Sequence, residues 1–403
     1  MYINSGFQTL YKRVEVVLAF NRIEHAKMFF MLRLCYAIEM NMIKASALIA
    51  FSFLSSATLC AQEKIKFADN RSPATEQIRL GFTGDILIHE DLYKKVDQSK
   101  SKDFSQLWPS IIPAFEKADF IYANLEGPTA LGITKNRKDV GDIGFVYDKN
   151  VYSGTDFVFN YHPRLIDDLK KSGIDIVSTA NNHTFDRGSI GIDRTIDALK
   201  TRGLEFVGTR KAGSSDAFYK ITTIKNFSVA WVSCSEMLNG FKDNFSQILL
   251  CYDQANEIVK IVSELKARKD VDAIIVTPHW GTEYKHEPNS AQKKHAQMYI
   301  EAGASAVIGS HPHVLQPVQK YTAKDGREAF IAYSLGNFAA FQKDIDRKAS
   351  AIVYLNFSKD SSGKVWISNY TYEPTLRSGT EIFLARKNKE AVKHIEQYLG
   401  PLE

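Results

Sequence analysis

Gly309-Ser310-His311-Pro312-His313 ends an apolar run, Ala306-Val307-Ile308. A short apolar run bounded by glycine is consistent with a buried strand, so two imidazoles one residue apart stand at its C-terminal end. A metal site, an acid–base pair or two surface residues all fit that pattern taken alone. The rest of the chain separates them, because four other apolar runs end in the same manner.

Ile78, Leu80 and Phe82 lead into Gly84-Asp85, with His89 just beyond. Phe120 to Asn124 ends in Leu125-Glu126. Ile174 to Ser178 runs into Asn181-Asn182-His183, and Val271 to Val276 into His279-Trp280-Gly281. Helical patterns lie between the strands at 105–118, 163–171, 190–201, 255–268 and 290–302, and a hairpin is expected across 218–233, turning at Lys225-Asn226. Three more strands (330–335, 351–357, 365–372) and a helix at 389–398 follow. A βαβα order with a β-rich tail implies a layered α/β domain over 76–403, with helices outside the sheets. Strand C-termini on one side of such a sheet converge on a common crevice, so these five clusters can meet.

The clusters bring carboxylates, an amide and several imidazoles, and no thiolate. Such oxygen and nitrogen donors suit Zn, Mn or Fe(II). A carboxylate bridging two ions makes a two-metal hydrolytic site, which polarises a phosphoryl or acyl oxygen and activates water.

Asp85, Asn124-Leu125-Glu126-Gly127-Pro128, Ala180 to Gly188 (ANNHTFDRG), His279 to Tyr284 (HWGTEY), Gly309 to His313 and Tyr333 to Phe338 (YSLGNF) occur in this order. The set resembles the capsule-synthesis CapA family, the poly-γ-glutamate biosynthesis accessory proteins of the calcineurin-like metallophosphoesterase superfamily, over roughly residues 76–345. The resemblance implies a metallophosphatase-like α/β sandwich, two mixed β-sheets flanked by helices. It implies one or two divalent ions (Mn, Fe or Zn) held by Asp85, Glu126 as bridge, Asn182, His279, His311 and His313. It makes His183 the acid that protonates the leaving group. Asp186 is expected to orient that imidazole and Arg187 to hold an anionic substrate. Two positions depart from the superfamily pattern. Leu87 stands where a ligand histidine is expected, with His89 as the substitute, and Glu126 replaces an aspartate. Glu283 and His286 are expected to line the same pocket and Asn337 to close its far side. His25, His295 and His394 are read as surface residues.

Two further properties bear on partners and location. The net charge of +5 falls to +2 without residues 1–61, which gives no electrostatic footprint for nucleic acid. Lys44, the uncharged run Ala45–Leu59 and Cys60-Ala61 have the form of an export signal. Translation from Met40 or Met42, a retained anchor and a lipidated Cys60 are variants of that reading. Residues 62–75 then form a linker. Cys234 and Cys251 either pair, as an oxidising compartment permits, or remain buried thiols. The expected protein is exported, periplasmic or envelope-associated. It works on an anionic polymer, poly-γ-glutamate or another capsule component, beside a membrane synthase complex. A non-catalytic assembly or polymer-binding factor and a stand-alone phosphoesterase are the alternatives.

Overall fold

The computed structural model describes residues 62–68, 73–156 and 158–402; the leader expected within 1–61 lies outside the described residues. The first sheet is built around β1 (Glu76–Leu87), which pairs in parallel with β2 (Phe120–Leu125). β3 (Ile176–Ser178) and β4 (Glu205–Val207) continue that parallel side. The second sheet holds the hairpin β5 (Tyr219–Ile224) and β6 (Phe227–Ser235), then β7 (Ala273–His279) and β8 (Ala306–Ile308), all parallel from β6 onward. β9 (Val318–Thr322) and β10 (Glu328–Ala332) complete it, in the order β5-β6-β7-β8-β10-β9. The chain then returns to the first sheet. β11 (Asn337–Ala340) pairs with β1 in parallel, and β12 (Ala349–Lys359), β13 (Val365–Ser378) and β14 (Glu381–Leu384) add an antiparallel flank. Both sheets are mixed, as the expected sandwich requires.

Period-two alternation assigns the faces. On β6, Phe227, Val229 and Trp231 point between the sheets, where they meet Leu80 and Phe82 of β1, while Ala230, Val232 and Cys234 face outward. Trp231 lies nearly parallel to Tyr122 across the interface, ring centroids 5.8 Å apart. Helices α1 (Glu90–Asp97), α2 (Ile112–Phe115), α3 (Arg164–Lys171) and α4 (Gly188–Arg202) go with the first sheet. Helices α5 (Ala255–Ala267) and α6 (Ser290–Ala302) cover the outer face of the second. α7 (Ile345–Lys348) precedes β12, and α8 (Lys389–Leu399) packs on the inter-sheet core through Ala391, Ile395 and Leu399.

Two elements differ from expectation. The helix over 105–118 is a 3₁₀ turn, Phe104–Leu107, followed by the short α2. Pro109 and Pro113 withhold the N–H groups that a continuous helix needs. The stretch read as a linker packs instead: Ile65 joins the inter-sheet core, and Gln62 Nε2 donates to the Val318 carbonyl at 2.9 Å.

The signature glycines allow close backbone approach. A Cβ on Gly84 would stand 2.0 Å from the Gly336 carbonyl oxygen, and one on Gly309 would stand 2.0 Å from that of Tyr333. Backbone atoms cannot step aside there, so these positions hold β1 and the β8 exit against the turn before β11.

Cys234 and Cys251 form a disulfide. It closes a loop with a sequence separation of 17. The chain-entropy relation assigns about 3 kcal/mol to such a loop. Reductant, or the double substitution Cys234→Ala/Cys251→Ala, should lower unfolding stability by about that amount in urea titrations.

Candidate metal centre

Every cluster picked out in the sequence reaches one buried crevice between the sheets. Asp85 and Asn124 are register partners on β1 and β2, and Asn124 Nδ2 donates to Asp85 Oδ1 at 2.8 Å. The same Nδ2 lies 3.2 Å from His279 Nδ1 at the end of β7, so one amide spans both sheets. Asn181 Nδ2 donates to the Leu125 carbonyl at 2.8 Å, which fixes the loop that presents Asn182. Asn182 Oδ1 lies 2.9 Å from His279 Nε2. His279 Nε2 is also 3.2 Å from His311 Nδ1.

The loop after β8 takes an unusual path. His311 and His313 have φ values of +98° and +58°, conformations that cost about 1–3 kcal/mol each for non-glycine residues and cluster at functional sites. The neighbouring backbone holds them there. Trp280 N–H donates to the Ser310 carbonyl, Ser310 N–H to the Pro278 carbonyl, and Tyr284 N–H to the Pro312 carbonyl. Asn337 grips the last residue from the far side: its Nδ2 donates to the His313 carbonyl, and its Oδ1 lies 3.0 Å from His313 Nδ1.

Two donor clusters result, and they share Glu126. One is Glu126, His279 and His311; the other is Asp85, Glu126 and His313; within each, the ligand atoms lie within 4.8 Å of one another. Glu126 Oε1 is 3.6 Å from His279 Nε2 and 3.8 Å from His313 Nε2. Both Glu126 oxygens are buried and accept no hydrogen bond among the described residues. An ionised carboxylate desolvated without donors is strongly unfavourable. Burial, reinforced by Asp85 and Glu283, accordingly pushes its carboxyl well above the usual range against the pull of His313.

The imidazoles divide. Burial, then His313 and His183, pushes His311 down to about 3, and burial with the neighbouring imidazoles holds His279 far below its ordinary value. Both are neutral, the form that ligates metals. Burial also opposes a charge on His313, but Glu126 and Asp85 outweigh it and raise His313 to about 9; Glu126 and His313 thus share a proton as one buried pair and do not titrate independently. A buried carboxylate without donors, beside two neutral imidazoles with converging nitrogens, fits divalent cations. Asp85, Glu126, Asn182, His279, His311 and His313 are the residues that would hold them.

His183 and Asp186 form a dyad beside the crevice. His183 Nδ1 lies 2.9 Å from Asp186 Oδ2, and that oxygen also accepts the Phe159 N–H at 2.7 Å. The carboxylate accepts, so Nδ1 carries the proton and the ring is fixed. The rim is made of Tyr284, whose ring centroid lies 6.1 Å from that of His313, Arg347, 4.8 Å over the Tyr284 ring, and Asn239, which touches Asn182.

Several expectations need correction. Arg187 is fully buried, and its guanidinium donates to the carbonyls of Ile133, Val158, Asp186, Asn150 and Val151. It has no free face for an anion. It braces the loop that sets Phe159 edge-on against His183, centroids 4.7 Å apart, and is a positioning residue. His89 borders the crevice but joins neither donor cluster: burial, then the nearby His313, with His183, holds it down to about 4, its ring meets Phe159 edge-on at 5.6 Å, and its Nδ1 is engaged by the backbone of Leu87 and Phe341. His286 faces away from the crevice, toward Asp346 and Tyr398. His295 and His394 are not surface residues: His295 is buried against Tyr252, and His394 is partly buried beside Asp346. His25 lies outside the described residues. The sequence reading assigned no role to Asn124 or Ser310; the place of Asn124 at the end of the apolar run, beside Leu125-Glu126, was the available signal.

The fold is a two-sheet sandwich with oxygen and nitrogen donors gathered at the C-terminal ends of its parallel strands. The chain belongs to the family described as bacterial capsule synthesis protein PGA_cap, which it matches over residues 79–342. It is 29% identical over 288 residues to the PGA biosynthesis protein CapA of Bacillus subtilis (strain 168), covering 70% of this chain and 68% of that protein. To the capsule biosynthesis protein CapA of Bacillus anthracis it is 27% identical over 288 residues, covering 69% and 63%. The chain thus spans about two thirds of the length of these relatives. Among solved structures, the NAD nucleotidase of Haemophilus influenzae aligns with a TM-score of 0.42 at 11% identity, covering 80% of this chain and 55% of that one.

A cation bound at His313 must displace its proton. Uptake of Mn²⁺ or Zn²⁺ at pH 7 should therefore release acid. Affinity should rise with pH until His313 is deprotonated near 9 and then level off. Potentiometric titration checks this, and His313→Gln should release less acid.

Proposed function

We propose that this chain is an exported metal-dependent hydrolase of capsule biosynthesis, acting on an anionic polymer of the poly-γ-glutamate type at the cell envelope. The observation that carries the reading is the pair of donor clusters joined by Glu126, with the His183–Asp186 dyad beside them. Divalent ions (Mn, Fe or Zn) supply Lewis acidity toward the scissile carbonyl or phosphoryl group when bound. The chain's own groups do the rest. Asp186 accepts from Nδ1 of His183 and stabilises the doubly protonated ring, whose Nε2–H is the proton passed to the leaving group. Phe159, held by Arg187 through the Val158 carbonyl, keeps that ring in place. Arg347 and Tyr284 at the rim offer a cation and an aromatic face to an entering carboxylate chain.

Export has two supports. One is the apolar stretch after Lys44. The other is the Cys234–Cys251 disulfide, a bond that persists in oxidising compartments.

The test is hydrolysis of poly-γ-glutamate and of phosphomonoesters and phosphodiesters by the metal-loaded protein. His183→Ala should lower kcat by about 10²–10⁴-fold with metal content unchanged. Asp186→Asn should lower kcat less and shift its pH profile. Turnover that is indifferent to His183→Ala, or no turnover on any of these substrates with metal bound, would overturn the hydrolase reading. Retained binding of the polymer without turnover would favour the assembly-factor alternative.

A further inference from the structure

Beyond the crevice, three donors from distant parts of the chain meet. His286 lies in the loop after β7, Asp346 in α7 and His394 in α8. His286 Nδ1 is 2.7 Å from the Leu315 carbonyl. A carbonyl only accepts, so Nδ1 carries a proton and Nε2 is the nitrogen left to bind a ligand. That Nε2 faces Asp346 Oδ2 at 3.7 Å. His394 presents its own Nε2 to the other oxygen of the same carboxylate, also at 3.7 Å. Neither contact is short enough to be a hydrogen bond, and His394 Nε2 is a buried atom with no hydrogen-bond partner among the described residues. The three donor atoms lie within 4.8 Å of one another.

We propose that His286, Asp346 and His394 form a second, peripheral divalent-metal site that takes Zn²⁺, with water as the fourth ligand. Two imidazoles and one carboxylate suit Zn²⁺. Ligand bonds of about 2.0–2.2 Å in a tetrahedron set neighbouring donors about 3.3 Å apart; the three donor atoms lie within 4.8 Å of one another, and turning the Asp346 carboxylate so that one oxygen faces both Nε2 atoms contracts the set. Asp346 has room to move, with half its side chain exposed. The rings are already oriented. Tyr398 stacks on His286, centroids 4.4 Å apart at 8°, and meets His394 edge-on at 5.4 Å. The Leu315 carbonyl plays the part that outer-sphere acceptors play for ligating histidines, fixing the tautomer. Burial, first, and the adjacent His286 keep His394 below its ordinary pKa against the pull of Asp346, so it offers a lone pair.

The location gives the ion a role. α7 also carries Arg347, which covers the rim residue Tyr284 and whose carbonyl accepts from Asn337, the partner of His313. Zinc at this site ties the C-terminal helix α8 to the rim of the buried centre.

The test is zinc titration of the untagged, chelator-stripped full-length chain, followed by metal analysis after gel filtration. His394→Ala and Asp346→Asn should each bind one equivalent fewer than the unsubstituted protein. Glu126→Gln, which removes the carboxylate common to both buried clusters, should keep that equivalent and still gain Tm on adding zinc. The double variant Glu126→Gln/His394→Ala should lose the gain. Because the Glu126→Gln arm isolates the peripheral site, failure of the hydrolase reading leaves this result intact. Equal zinc stoichiometry and an equal Tm gain in His394→Ala, Asp346→Asn and the unsubstituted chain would overturn the proposal and leave a His286–Asp346 ion pair. Asp346 is half exposed, so Asp346→Asn keeps the test open if His394→Ala does not fold.

Discussion

The structure is organised around one desolvated carboxylate. Glu126 sits at the end of β2 with both oxygens buried and no donor to either. Leaving such a group uncompensated costs several kcal/mol, and nothing in the hydrogen-bond network relieves it. The surrounding residues explain why the chain tolerates it. Two imidazole nitrogens stand 3.6 and 3.8 Å from Glu126 Oε1, one from each of two loops. The carboxylate stands between the two donor groups, and the fold provides one group from each side.

Those sides come from different sheets. β1 and β2 deliver Asp85, Asn124 and Glu126, while β7 and β8 deliver His279, His311 and His313. The inter-sheet core, with Trp231 against Tyr122 and Phe82, sets the distance between the two groups. Asn124 then joins them directly, touching Asp85 on one side and His279 on the other. A parallel strand pair ends in loops whose backbone N–H groups have no ladder partner, and here the loops are closed by side chains and by glycines that let backbone meet backbone. The strained conformations of His311 and His313 persist because four hydrogen bonds from neighbouring loops hold that turn.

The sequence displayed much of this for a physical reason. A buried strand is apolar, and its abrupt change to Asp, Asn, Glu or His marks where the core ends and the crevice begins. Asp85, Glu126, Asn182, His183, His279, His311 and His313 all sit at such changes. What stayed hidden depends on contacts far apart in the chain. Arg187 looks like an anion clamp beside His183, yet the loop over 130–160 wraps its guanidinium in carbonyls. His89 follows Asp85 closely, but β1 continues to Leu87 and turns it onto the backbone of Leu87 and Phe341. His394 lies in an amphipathic helix with no local signal, and only the return of α8 onto the sandwich brings it to Asp346 and His286. The 105–118 helix failed for a local reason that was visible, two prolines within five positions.

The central claim is that Glu126 is shared by two cations. Anomalous X-ray diffraction from crystals grown with Mn²⁺ tests it most directly. The account predicts two peaks about 3.5–4 Å apart, one beside Asp85 and His313 and one beside His279 and His311, with Glu126 between them. A crevice without an anomalous peak at saturating Mn²⁺, or peaks with Glu126 turned away, would contradict it.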